Sequence, residues 1–312
     1  MITNYFGTTH HECDGNCNKI QRVKYLENGI CTKVVAGYDG GPIRCVKTWA
    51  NEKIHLLTRY FDIFATGMKD KWAGNINYIE ICSGPGICLD KDNSKEILGA
   101  PLAISQRRGF EYINRAIFID MNPLVVDNLN KRFQNFGIDD RALAMLGDYN
   151  QHHNLLNSLN SIIARKGLNL LFIDPTDCSV PFTTVSRLLS SLNKCDLILS
   201  VMYGSDPKRN MQRAFDEPKS RVRQKYSDFL GSNDFFENDE NLELANQGRH
   251  DQLHRNFIDF YIGQLKTFEY LYFDCETVRH MYELLFASKN ETGQEFWKEA
   301  TKKKLYGQRK LF

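Results

Sequence analysis

The sequence predicts an α/β fold with a mostly parallel sheet that ends in an antiparallel pair of strands. Short apolar runs alternate with segments of helical period along most of the 312 residues, as expected for strands joined by helical crossovers. Four runs end at an acid, in the order Glu80, Asp120, Asp148 and Asp174. Two later runs, at 270–274 and 281–287, are too close in sequence for a parallel crossover and therefore indicate antiparallel strands.

Helices are predicted before, between and after these strands. The apolar residues of 47–71 recur at three- and four-residue intervals, which is typical of an amphipathic helix. Asn122 and Pro123 suit the cap and the first turn of a helix that ends at Phe136. The same patterning predicts helices at 152–165, 185–192 and 252–265, and a fifth parallel strand at 196–203.

These elements divide the chain into four predicted parts. A Cys-containing N-terminal extension, 1–46, shows no sustained period. A Rossmann-like nucleotide-binding core at 47–204 is followed by a charged insertion at 205–252 that is helical in pieces. Residues 253–312 return to the core sheet and end in a basic tail.

The composition predicts a soluble, cytoplasmic protein. With 42% hydrophobic residues the chain can bury a full core, and no apolar run approaches the roughly 20 residues that span a bilayer. The N-terminus lacks a basic-then-apolar signal pattern, so we expect no membrane contact. Nine cysteines, an odd number, argue against a disulfide framework.

The N-terminal extension raises the question of a metal site. Thiolate and imidazole ligands can form a tetrahedral zinc centre, and the candidates are His10, His11, Cys13, Cys17, Cys31 and Cys45. Tight C-x2-C pairs are missing from this segment. Scattered thiols are therefore favoured over a metal.

The chain is organised around the stretch 78–86, an apolar strand that breaks into Gly84 and Gly86. Glycine is needed where the backbone turns tightly and lies close to a ligand. This signal alone is weak, but the carboxyl ends of parallel strands lie on one edge of a sheet, so the four acids indicate a single site. A polar stretch, 90–96, separates the glycines from the next helix, which argues against a pyrophosphate site.

A parallel sheet finished by an antiparallel pair is the pattern of class I methyltransferases. In that fold, an acid after the first strand and the glycine loop hold the methionine part of S-adenosylmethionine, which assigns Glu80, Gly84 and Gly86. Acids after the second and third strands meet the ribose hydroxyls and the adenine amino group, which assigns Asp120 and Asp148. The remaining predicted cofactor residues are Ser83, Met121, Tyr149, Asp174 and Pro175.

NAD is the competing cofactor, because its ribose would also be bound by an acid at Asp120. The terminal strand pair and the missing third glycine, where Cys88 stands, favour the methyl donor.

Several segments resemble the three-Cys-motif partner family. They are Trp49 with Lys53, Ile81-Cys82-Ser83-Gly84-Pro85-Gly86, Gly99-Ala100-Pro101-Leu102, Phe118-Ile119-Asp120, Gly147-Asp148, Phe172-Ile173-Asp174-Pro175, Val180-Pro181-Phe182 and Leu285-Phe286-Ala287-Ser288-Lys289. The resemblance covers about Lys47 to Lys304. It implies a methyltransferase-like core and a three-Cys radical-type protein as a partner.

Asp174 and Pro175 are followed by Thr176 and Asp177, at the position where amino-methyltransferases acting on bases carry an acid or Asn, two prolines and a stacking aromatic ring. The ring is missing there, although Phe182 lies close in sequence. We expect Asp174 and Asp177 to orient the substrate or to accept a proton.

The predicted function is methyl transfer from S-adenosylmethionine to nucleic acid or a nucleotide-like substrate. Two basic stretches favour a polyanion, since Lys208 to Lys225 holds seven basic residues and Lys298 to Lys310 holds six. One alternative is a non-catalytic partner module that keeps the fold. Another is a nuclease that uses Asp174, Asp177 and Asp206 with a divalent cation.

Overall fold

A computed structural model describes residues 17, 24–27, 30–163, 166–192, 194–204, 206–303 and 305. Two compact units divide the chain: the first comprises 1–147 with 296–312, and the second comprises 148–295. Within the described ranges, no helix is both long enough and apolar enough to cross a bilayer.

The first unit alternates strands and helices. Its elements are β1 (Leu26–Glu27), β2 (Ile30–Cys31), β3 (Arg44–Val46), α1 (Trp49–Met68), β4 (Ile76–Ile81), β5 (Ile87–Asp90), β6 (Lys95–Leu98), α2 (Ala100–Ser105), β7 (Arg115–Asp120), α3 (Pro123–Asn135) and β8 (Ala142–Leu146). A 3₁₀ turn, Arg108–Tyr112, precedes β7.

Three strands of the first unit form a sheet in the order β4-β7-β8. Both pairings are parallel, with Glu80 opposite Phe118 and Phe118 opposite Ala144. Aromatic rings pack this sheet against its helices. Phe61 of α1 contacts Tyr78 edge-on with 5.5 Å between the ring centres, and the ring centres of Phe118 and of Phe133 on α3 are 5.2 Å apart. The predicted strands and helices of this region are confirmed.

A second sheet in the first unit was not expected from the sequence. β5 and β6 form an antiparallel hairpin over the stretch 87–98, and β3 pairs with β5 in parallel. All four residues of β5 are buried, so this short strand shows no alternation of apolar and polar residues that would reveal it. The predicted polar stretch, 90–96, therefore contains the end of β5, the turn and the start of β6.

The guanidinium of Arg132, on α3, anchors the segment before β3. This side chain is fully buried and forms two hydrogen bonds to Asp39, from Nε at 2.7 Å and from Nη2 at 2.8 Å. Its Nη1 donates to the carbonyl oxygens of Pro42, at 3.1 Å, and of Pro85. One side chain thus joins the N-terminal segment, the glycine loop and α3.

The second unit contains the remaining strands and most of the helices. Its elements are α4 (His152–Ile162), β9 (Leu168–Ile173), α5 (Phe182–Leu192), β10 (Lys194–Val201), α6 (Pro207–Asp216), α7 (Arg221–Leu230), α8 (Asp234–Glu237), α9 (Asp239–Asn246), α10 (His250–Lys266), β11 (Tyr272–Val278) and β12 (Tyr282–Ser288). A 3₁₀ turn, Tyr149–Gln151, opens the unit, and α11 (Glu291–Thr301) runs across the boundary between the units.

The four strands of the second unit lie in the order β9-β10-β12-β11. β9 and β10 are parallel, whereas β12 runs antiparallel to both of its neighbours. The first unit thus has the order first-second-third strand and the second unit the order fourth-fifth-seventh-sixth. These orders are those of the Rossmann-like class I methyltransferase fold, so the predicted fold class is confirmed.

Residues 205–252, predicted as a charged insertion, fold around an aromatic core. Helices α6 to α10 bury Phe215, Phe229, Phe235 and Phe257, and the Phe229 and Phe257 rings stack at 5.7 Å. The cation of Arg223 is also buried, 4.1 Å from the centre of the Phe236 ring. Part of the basic stretch is therefore structural.

We predict that Arg132→Met lowers the free energy of unfolding by about 3–5 kcal/mol at neutral pH, because it leaves the Asp39 carboxylate without its buried partner. Denaturant titration followed by circular dichroism measures this loss. Arg213→Met, which removes a surface ion pair with Glu217, is the control and should cost under about 1 kcal/mol.

The same ion pair predicts a pH dependence. Burial would raise the pKa of Asp39, but the hydrogen bonds and charge of Arg132 outweigh it and hold the pKa below the ordinary value of 3.8. The stability from this pair is complete above that value and is lost as the pH falls through the lower pKa of the folded state. The loss of unfolding free energy caused by Arg132→Met should therefore be smaller at a pH below the Asp39 pKa than at neutral pH. An equal loss at neutral and at acidic pH would contradict this assignment.

Candidate functional site

The glycine loop that follows β4 has three left-handed residues at alternate positions. Cys82, Gly84 and Gly86 have φ values of 64°, 66° and 79°. Glycine adopts this conformation freely, whereas an L residue such as Cys82 does so at a cost of about 1–2 kcal/mol. Backbone strain of this kind concentrates at ligand-binding sites. The alternate spacing is visible in the sequence, but the strain at Cys82 is not.

The two glycines serve different purposes. A Cβ atom on Gly86 would lie 2.8 Å from Leu129 Cδ1 and 3.1 Å from Leu102 Cγ, so Gly86 is required by packing against α2 and α3. A Cβ atom on Gly84 would have one described neighbour within 4 Å, Arg44 Nη1 at 3.8 Å. Gly84 is therefore the position at which this loop leaves room beside its backbone.

Asp120, the last residue of β7, holds the loop in place. Its Oδ2 accepts a hydrogen bond from the backbone N–H of Gly84 at 3.0 Å, and its Oδ1 accepts one from the N–H of Asn122 at 2.9 Å. The residue is partly exposed. Each carboxylate oxygen can accept a second hydrogen bond, so Asp120 can still bind a ligand hydroxyl. Met121 follows with 59% of its surface exposed.

Two further predicted residues lie beside this loop. The backbone N–H of Ser83 donates to the Ile119 carbonyl at 3.0 Å, whereas its buried hydroxyl has no hydrogen-bond partner in the described part of the chain. Glu80 is buried and accepts a hydrogen bond from the Tyr78 hydroxyl at 2.8 Å. A buried polar atom without a partner costs free energy, so the Ser83 hydroxyl is suited to a polar ligand.

The other predicted cofactor residues belong to the second unit. Asp148 accepts a hydrogen bond from the N–H of Asn150 at 2.8 Å and caps the 3₁₀ turn. The Tyr149 hydroxyl lies 3.1 Å from Ser179 Oγ. Asp174 is partly exposed and Pro175 is buried, directly after β9. The structure thus brings Glu80, Ser83, Gly84, Gly86, Asp120 and Met121 together in the first unit.

Asp177 is part of an ion-paired cluster. The Lys225 ammonium donates to Asp177 at 3.2 Å and to Asp206 at 2.6 Å. Asp206 also accepts hydrogen bonds from the Tyr226 hydroxyl at 2.9 Å and from the Cys178 N–H at 3.2 Å. Burial lowers the pKa of Lys225, but the hydrogen bond and charge of Asp206, together with Asp177, raise it overall, so the ammonium stays protonated.

This cluster is evidence against the nuclease alternative. The Lys225 ammonium occupies the position between Asp177 and Asp206 that a divalent cation would need. Among the described residues, no group of three or more His, Cys, Asp or Glu side chains is arranged to hold a metal. His10, His11 and Cys13 of the zinc hypothesis lie outside the described residues.

Phe182, which follows the position of the missing stacking ring in the sequence, is buried in the second unit. Its side chain is 6% exposed and contacts the Tyr261 ring edge-on at 5.3 Å. A Cβ atom on Gly231 would lie 2.8 Å from Cδ1 of the Phe182 ring. Phe182 is a core residue because α5 turns it towards α7 and α10.

A cleft at the carboxyl end of β10 has no counterpart in the sequence predictions. The N–H of Gly204 donates to the Met281 carbonyl at 3.0 Å and fixes the β11–β12 hairpin there. His254 stacks on Tyr203 at 3.7 Å, and burial lowers its pKa to about 4. A cavity of about 560 Å³ extends from His254 along α10. Only the tertiary fold joins these residues, so no sequence signal could have found them.

No family model matches the sequence, and no curated protein matches it either. Solved structures with a similar chain path include the O-methyltransferase from Bacillus cereus in complex with SAH, with 10% identity, a TM-score of 0.39 and coverage of 75% of this chain and 80% of that one. TrmK from M. capricolum in complex with SAH has 12% identity, a TM-score of 0.33 and coverage of 73% and 68%. A putative S-adenosyl-L-methionine-dependent methyltransferase from Methanococcus maripaludis has 13% identity, a TM-score of 0.35 and coverage of 76% of this chain and 88% of that one. Identities this low carry no residue roles or substrates over to this chain.

We predict that alanine at the two loop glycines has unequal costs. Gly137→Ala, at φ 63° with nothing within 4 Å, is the control and should cost about 1–2 kcal/mol for the left-handed backbone alone. Gly84→Ala should cost about the same, whereas Gly86→Ala should cost about 1–3 kcal/mol more because its methyl group overlaps Leu129. Denaturant titration compares the three variants, and equal losses would contradict the packing role of Gly86.

Proposed function

We propose that this protein is an S-adenosylmethionine-dependent methyltransferase. The observation that carries the proposal is the contact between the Gly84 N–H and Asp120 at the carboxyl ends of the parallel strands β4 and β7. It places an open stretch of backbone next to a carboxylate that can accept further hydrogen bonds. Open α/β sheets bind ligands at this edge, and the unsatisfied Ser83 hydroxyl points to a polar ligand.

Each residue would bind a different part of the donor. Asp120 would accept hydrogen bonds from the ribose hydroxyls. Gly84 would let the methionine part approach the backbone, with Ser83 and Glu80 on that side, and Asp148 would meet the adenine amino group. When bound, the donor supplies an activated methyl group.

The acceptor side of the proposal rests on the loop after β9. We propose that Asp174 and Asp177 orient the acceptor through hydrogen bonds. Lys225 fixes Asp177 in position, and the Cys178 N–H ties the same loop to Asp206. A held carboxylate orients its partner without losing side-chain entropy on binding.

We further propose that the acceptor is nucleic acid or a nucleotide-like molecule. The support is the exposed part of the basic stretch, since Lys208, Arg209, Lys219 and Arg221 face solvent. Lys302 and Lys303 of the C-terminal tail are exposed as well, although Lys302 pairs with Glu299. Partnership with a three-Cys-motif protein and a cytoplasmic location stay predictions from the sequence.

We predict micromolar binding of S-adenosylhomocysteine, measured by isothermal titration calorimetry. Asp120→Ala should weaken it at least about tenfold, because hydrogen bonds to charged groups contribute about 1.5–3 kcal/mol. Asp127→Ala removes an exposed carboxylate from α3, the helix that follows β7, and is the control. Wild-type protein that binds neither S-adenosylhomocysteine nor S-adenosylmethionine would overturn the proposal and favour the non-catalytic partner module.

For the acceptor, we predict that Lys219→Gln with Arg221→Gln reduces the salt dependence of RNA binding. Each lost phosphate contact lowers the slope of log K against log salt by about 0.7–0.9. Fluorescence anisotropy of a labelled single-stranded RNA measures the slope. Arg213→Gln, whose cation already pairs with Glu217, is the control. An unchanged slope in the double variant would show that Lys219 and Arg221 make no contact with RNA phosphates.

A further inference from the structure

Arg44 lies next to the glycine loop, although it comes from a distant part of the sequence. It begins β3, where it pairs with Cys88 of β5, two residues beyond Gly86. Its Nη1 is 3.8 Å from the position that a Cβ atom on Gly84 would take. The guanidinium therefore borders the space that the absent side chain of Gly84 leaves beside the loop.

The charge of Arg44 is not neutralised within the described residues. Three other arginines of the first unit form ion pairs in the described part of the chain: Arg107 with Asp62, Arg132 with Asp39 and Arg141 with Asp140. The Arg44 side chain is partly exposed and has no hydrogen-bond or ion-pair partner in the described part of the chain. A guanidinium is well suited to carboxylates and phosphates, because it offers several N–H donors in a planar fork.

We propose that Arg44 binds the carboxylate of the amino-acid part of the methyl donor, with the Ser83 hydroxyl as a second hydrogen-bond donor. This inference rests on the proposed function. Asp120 can bind the ribose but, as a carboxylate, would repel an anionic group. Arg44 and Ser83 supply donors that can bind that group, beside the loop position at which the backbone is open.

The assignment divides the donor between two recognition elements. Asp120 takes the uncharged nucleoside half, and Arg44 takes the anionic end of the amino-acid half. Arg44 should therefore discriminate between ligands that share adenosine but differ in the amino acid. A nucleoside without the amino-acid part should not depend on Arg44.

Calorimetric titration with S-adenosylhomocysteine and with 5′-methylthioadenosine tests this division. Arg44→Ala should weaken S-adenosylhomocysteine binding about 10- to 100-fold, since a hydrogen-bonded charge pair contributes about 1.5–3 kcal/mol. The affinity for 5′-methylthioadenosine should change less than about twofold. This ligand has no carboxylate, so neither the wild type nor the variant forms a carboxylate–guanidinium pair with it. Arg44→Lys should restore part of the lost affinity, since it keeps the charge but not the fork.

Arg115→Ala is the matched control. The substitution removes the same charge, but Arg115 starts β7 at the end opposite Asp120. It should bind both ligands as the wild type does, and thermal melting confirms that each variant is folded. Unchanged S-adenosylhomocysteine affinity in Arg44→Ala, or an equal loss for both ligands, overturns the role of Arg44 alone.

A phosphate is the other anion that Arg44 could bind, and NAD provides that comparison. Arg44-dependent NAD binding that is tighter than S-adenosylhomocysteine binding would overturn the carboxylate assignment. If the wild type binds neither adenosine ligand, the proposed function fails, and the donor role of Arg44 fails with it.

Discussion

The first unit depends on the buried guanidinium of Arg132. Its bonds to Asp39, to Pro42 and to Pro85 connect three segments that are far apart in sequence. A buried ion pair is costly to form and costlier to break, so the glycine loop and the N-terminal segment are stabilised together. The segment before β3 is consequently part of the candidate site, and through β3 it positions Arg44 beside Gly84.

Asp206 and Asp120 illustrate two opposite roles of a carboxylate. In the second unit, the Lys225 ammonium and the Tyr226 hydroxyl satisfy Asp206, which makes that cluster a structural anchor for the loop after β9. In the first unit, Asp120 receives only backbone N–H groups in the described structure and keeps acceptor capacity at a partly exposed edge. The same residue type thus supports rigidity in one place and ligand binding in the other.

Local patterning was sufficient to predict the main-sheet strands and the helices that cover them. The period of two and the period of 3.6 are properties of short segments, and α3 begins at Pro123 as its cap residues indicate. The β5–β6 hairpin escaped detection because its partner β3 lies 44 residues away in the chain, at Arg44 opposite Cys88. Arg44 and His254 were missed for the same reason, since their surroundings are set by tertiary contacts that no local pattern contains.

The crystal structure of the protein soaked with S-adenosylhomocysteine tests the central claim most directly. The account predicts density for the ribose within hydrogen-bond distance of the Asp120 carboxylate, with the amino-acid part over Gly84 and its carboxylate on Arg44. A ligand bound elsewhere, or bound with its ribose away from Asp120, would contradict it.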